Sequence, residues 1–132
     1  MLYKYPQQAF PYSELIEENA RRGKTDPEYE LLDTGLFDDN QYFDVFVEYA
    51  KSDADDILMR ITAYNRASQL APLHILPQLW CRNTWDWGYD EARPSLSASE
   101  GHSISIAHNK LGNYYCYFDG TSELLFCDND TN

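Results

Sequence analysis

Basic residues are scarce in this sequence: 10 Lys and Arg stand against 22 Asp and Glu, a formal charge of −12 over 132 residues. A field of that sign repels phosphate backbones and anionic lipid headgroups, so neither nucleic acid nor a membrane is an expected partner. Long apolar runs are also missing. No stretch approaches the ~20 apolar residues of a spanning helix, and Met1 to Pro11 has neither the basic start nor the apolar centre of a signal peptide. Cysteine is sparse, with Cys81, Cys116 and Cys127 widely spaced and no CxxC pair. That usage fits reduced thiols, small buried hydrophobes in a cytoplasmic protein, better than a disulfide framework. His74, His102 and His108 form no HExxH or Cys/His spacing, and GxSxG, phosphate-cradling and dinucleotide motifs are absent from the sequence. No catalytic residue, metal or cofactor is therefore expected of this chain.

What is present is enough for a core. With 43% hydrophobic and 15% aromatic residues the chain is too apolar to stay disordered. One helix is predicted over Tyr12 to Gly23, where Tyr12, Leu15, Ile16 and Ala20 recur at helical spacing. Ser13 is placed to accept from its first amides, Glu14, Glu17 and Glu18 lie near its positive end, and Gly23 can supply a left-handed stop.

After Pro27 the period changes to two. Glu28–Asp33 reads as a short strand, and Tyr42–Ala50 as a clear one, with Phe43, Val45, Val47 and Tyr49 alternating against Asp44 and Glu48. Ile57–Tyr64 repeats the pattern with Ile57, Met59, Ile61 and Ala63, and the polar loop Lys51–Asp56 is short enough to join the two as a hairpin. Leu73–Cys81 reads as a third long strand despite Pro77, followed by an irregular stretch from Arg82 to Gly101. Ser103–Asn109, Asn113–Asp119 and Glu123–Cys127 complete the strands. Such a set must cover its apolar faces, so the expected fold is mainly β: an antiparallel, supersandwich-like β-sandwich with one N-terminal helix, residues 1–132 forming a single domain. A barrel is the rival arrangement.

The most unusual composition is Leu76 to Gly88, which holds Trp80, Trp85 and Trp87 together with Arg82, Asn83 and Asp86. Indole faces stack on sugar rings while Arg, Asn and Asp bond hydroxyls, so these six residues are the candidate carbohydrate-binding or interdomain surface. Packing in a core or interface is the plainer reading of the same aromatics. The acidic pairs Asp38/Asp39, Asp53/Asp55/Asp56, Asp86/Glu91 and Asp128/Asp130 fall in predicted turns and read as solvated loop charges, Asp53, Asp55 and Asp56 being at most a weak calcium site. His102 and His108 share a parity that reads as one strand face.

Two groups of residues carry a resemblance. Leu2-Tyr3-Lys4-Tyr5-Pro6-Gln7 with Phe10-Pro11-Tyr12, Glu18-Asn19, Arg21-Arg22 and Glu28 to Gly35 forms the first. Tyr42 to Val45, Glu48 to Lys51, Asn65-Arg66, Leu76-Pro77, Leu79-Trp80, Arg82 to Trp85, Leu125-Phe126, Asn129 and Thr131-Asn132 form the second. Together they resemble large bacterial and fungal proteins related to glycoside hydrolase family 63. The resemblance implies part of an N-terminal β-sandwich, in a longer multidomain inverting hydrolase whose (α/α)6 catalytic domain lies downstream and carries the acid and base. Neither catalytic motif has a counterpart in this sequence. The expected role is thus an inactive accessory domain of a glucosidase- or mannosidase-like enzyme, packed on the catalytic domain. An independent carbohydrate-binding module and an oligomerisation domain are the alternatives.

Overall fold

The computed structural model describes residues 1–89 and 92–128. Glu91, Asn129, Asp130, Thr131 and Asn132, which entered the acidic-pair and resemblance readings, lie outside the described residues. The chain divides into two compact units, Met1–His74 and Ile75–Asn132. Each contains one three-stranded antiparallel sheet, so the expectation of a mainly β, antiparallel fold with one N-terminal helix is borne out, and two sheets are consistent with a β-sandwich.

In the first unit β1 (Leu2–Pro6), β2 (Tyr42–Asp53) and β3 (Asp56–Asn65) pair in that order. The register sets Val45 opposite Tyr3 and Ala63, Val47 opposite Ile61, and Tyr49 opposite Met59. Because side chains alternate along a strand, both apolar stripes read from the sequence fall on one face of this sheet. The opposite face carries Lys4, Asp44, Glu48 and Arg60. A register shift between Lys51 and Asp53 tightens the hairpin, which closes through Asp53 opposite Asp56 rather than the longer loop expected. β1, which the sequence did not lead one to expect, is an edge strand, where a missing proline donor is tolerated.

The helix α1 spans Tyr12–Arg21. Pro11 occupies its N-cap position with no side-chain hydrogen bond to the first amides, so Ser13 does not cap it, and the chain leaves through Arg22 in an extended conformation, so Gly23 is not a left-handed stop. The Gly23 amide donates instead to Asp26 Oδ2 at 2.7 Å. Asn19 ties the helix to the following segment, accepting from the Tyr29 amide and donating to its carbonyl, both at 2.8 Å. No short strand forms at Glu28–Asp33. A 3-10 turn over Leu31–Thr34 replaces it, closed by Gly35 at φ 70, where a β-carbon would meet Asp38 Oδ2 at 3.0 Å.

In the second unit β4 (Ser95–Ser99), β5 (Ser103–His108) and β6 (Gly112–Tyr117) pair in chain order. β4 was expected to be irregular, and the strands expected at Leu73–Cys81 and Glu123–Cys127 are not formed. Both segments are largely apolar, but Pro77 removes a donor in the first and neither finds a ladder partner. His102 does not share a strand face with His108: it sits in the β4–β5 turn at φ 57, next to Gly101 at φ 70. The three cysteines are thiols. Among the described residues no helix is long and apolar enough to cross a membrane.

Candidate functional site

The segment around the tryptophans folds as a turn. Asn83 Nδ2 donates to Asp86 Oδ2 at 2.6 Å and its Oδ1 accepts the Asp86 amide, while the Gly88 and Tyr89 amides return to the carbonyls of Trp85 and Thr84. Asn83 and Asp86, two of the proposed ligand-binding groups, therefore staple the loop. The guanidinium of Arg82 lies 5.8 Å from the Trp87 ring, and that of Arg93 lies 5.5 Å from the Trp85 ring. Trp87 meets Tyr89 edge to face. Trp85 is half-buried with its Nε1 fully enclosed and unpartnered. Its hydrophobic body holds the loop; it presents no donor to solvent.

Trp80 and Arg82 do reach a cleft. It has a volume of about 340 Å³ and is lined by Trp80, Cys81, Arg82, Thr84, His108, Lys110 and Leu111. The indole of Trp80 is 65% exposed at its lip. His108, at the end of β5, accepts the amides of Lys110 and Leu111 on Nδ1 at 3.1 and 3.3 Å, which puts its ring proton on Nε2 as a donor. Burial pushes the Cys81 thiol above its ordinary value, which disfavours the thiolate. The lining holds an aromatic plate and several donors but no carboxylate. Thr84, His108 and Lys110 were missed from the sequence, because only the β5–β6 turn brings the last two to Trp80.

The strongest electrostatic feature lies in the other unit. Asp44, the one buried carboxylate among the described residues, has Oδ1 bound by Lys4 Nζ at 2.8 Å and Oδ2 by Arg66 Nε at 2.7 Å. The Lys4 hydrogen bond and then that of Arg66 hold its carboxyl below the usual range, while Asp44 and then Tyr42 raise Lys4. Lys4 also lies 4.1 Å over the Tyr42 ring. With both oxygens occupied by cations, Asp44 is a strand lock rather than a proton donor. Among the described residues no group of three His, Cys, Asp or Glu side chains is placed to hold a metal ion.

No family model and no solved structure matches the chain. The uncharacterized protein YMR196W of Saccharomyces cerevisiae is 38% identical over 166 residues, a match that takes in 99% of this chain and 15% of the yeast protein. The chain thus spans 15% of the length of the curated relative it matches. Since 132 residues here align across 166, the relative carries inserted residues within the matched region.

Proposed function

We propose that this chain is a non-catalytic accessory β region of a longer polypeptide related to glycoside hydrolase family 63, packing against a downstream (α/α)6 catalytic domain. The observation that carries the reading is the yeast match, which runs through 99% of this chain but occupies 15% of a much longer protein. The enzyme class comes from the sequence resemblance. The inactive character comes from the residues: the one buried carboxylate described is doubly ion-paired, and neither cleft described sets two carboxylates across a hollow. Reduced thiols favour a cytoplasmic location within the same proposal. The purified chain is expected to release no sugar from α-glucosides or mannosides. Turnover that survives controls for contaminating hydrolase would refute the accessory role.

A second reading, a carbohydrate-binding module, is favoured by the exposed Trp80 plate beside Arg82, Thr84 and His108. Sugar bound there quenches tryptophan emission, and Trp80→Ala removes the response. A flat titration across glucans and mannans eliminates this reading.

A further inference from the structure

We infer that the uncharged face of the β1–β2–β3 sheet is a docking surface, covered by a further segment of the longer polypeptide whose centre is apolar and whose rim is basic. The inference rests on the accessory reading and assigns the interface to a surface other than the tryptophan loop. The two faces of this sheet differ in kind. One mixes Leu2, Phe46, Leu58 and Tyr64 with Lys4, Asp44, Glu48 and Arg60, the charged groups joined in cross-strand pairs. The other runs through Tyr3, Tyr5, Val45, Val47, Tyr49, Met59 and Ile61 without a charged side chain until Lys51 at the hairpin end. A sheet face of that composition is a core face. Phe43, opposite Tyr5 on this face, is buried and Val45, Val47 and Ile61 are half-buried, but the rest of it is open: Tyr3 is 55% exposed, Tyr49 68%, Ile57 68% and Met59 47%.

Length outside the match supplies the occupant, since the yeast relative extends well beyond the region this chain matches. Charge argues against a second copy, which would bring another −12 and another Asp53-Ala54-Asp55-Asp56 hairpin end to the contact. The same charge selects a partner with Lys and Arg around its apolar centre.

Leu58 and Met59 are adjacent, similarly exposed at 55% and 47%, and on opposite faces. Leu58→Cys and Met59→Cys are compared by thiol labelling with peptide mapping, in the isolated chain and in a chimera where this chain replaces its matching region of the yeast protein. Both sites label at similar rates in the isolated chain. In the chimera Met59→Cys slows by roughly tenfold or more while Leu58→Cys is unchanged, the protection expected when only one face is covered. Equal rates at both sites in the chimera overturn the inference, as does protection of Met59→Cys in a dimer of the isolated chain. Met59→Lys in the isolated chain gives an independent reading if the chimera does not fold. Its melting temperature stays within a few degrees when the face is open, and a fall of about 5 °C or more means the face is already covered and the inference is wrong. None of these outcomes depends on hydrolysis, the measurement on which the accessory reading stands.

Discussion

The β1–β2–β3 sheet and the β4–β5–β6 sheet obey the same antiparallel pairing, yet their interiors differ. The first has strands of 12 and 10 residues in its hairpin, a buried Phe43 on one face, and directly beneath it a buried Asp44 held between two cations on the other. The second has strands of 5, 6 and 6 residues, and its one fully buried residue among those described is a hydroxyl, Ser103, whose Oγ donates to the Glu100 carbonyl. Its apolar side, Leu96, Ile104, Ile106, Tyr114 and Cys116, is half-buried throughout. Long strands with branched and aromatic residues bury a centre even when one face is open. Short strands spaced by serine hold together through their ladder and turns.

The comparison is tested most severely at Phe43. Phe43→Ala empties the better-packed interior and is expected to destabilise the first sheet by about 3 kcal/mol. Amide exchange along β2 and β3 measures it, and unchanged protection there would mean the first sheet has no more of a core than the second.

Asp44 comes next. Asp44→Asn leaves Lys4 and Arg66 without their shared carboxylate and lowers the melting temperature by on the order of 5 °C. The pH dependence has a definite sign. Because the folded carboxyl is held below the unfolded value of ~3.9, the stability it contributes is full above that pH and is lost as pH falls through the folded value. Lys4 is raised, so its contribution is full below the ordinary lysine range and is lost as pH rises through the folded value. Acid should therefore loosen β1 from β2 in the wild type, and Asp44→Asn should flatten that acid limb. An unaltered acid limb would assign the loss to other carboxylates.

The hairpin of the first sheet was legible in the sequence because an apolar residue recurs at every second position from Phe43 to Tyr49 and from Ile57 to Ala63. β4 was not, since Ser95-Leu96-Ser97-Ala98-Ser99 has little β-propensity and acquires its form by pairing with β5. β1 was hidden by Pro6, and the apolar Leu73–Cys81 misled because apolarity without a partner is no strand. Of the six residues chosen for the site, Trp80 and Arg82 line the cleft, whereas Asn83 and Asp86 build the turn that carries it. Turn-forming and ligand-binding residues share the same side chains, so composition alone does not separate them.

In the second sheet the sensitive position should be a hydrogen bond rather than a side-chain volume. Ser103→Ala removes the Oγ donor to Glu100 and is expected to destabilise by about 1 kcal/mol, seen as faster amide exchange across the β4–β5 turn. A loss as large as that of Phe43→Ala would place a core where the serines now stand.

The smallest effect belongs to the cross-strand pair on the charged face of the first sheet. Arg60 reaches Glu48 Oε2 through Nε and Nη2 at 3.0 and 2.9 Å, but the two side chains are 75% and 54% exposed, so water and salt screen the attraction. Glu48→Gln should therefore destabilise by only ~0.5 kcal/mol in dilute buffer, and by less in high salt. Asp44 presents the same pairing of carboxylate and cation on the same strand, four residues earlier and buried. Measured together across a salt series, the two substitutions separate burial from pairing: Asp44→Asn keeps its effect as salt rises and Glu48→Gln loses it. If both decline in parallel, the Asp44 network is a surface feature, and the interior of the first sheet is set apart from that of the second by Phe43 alone.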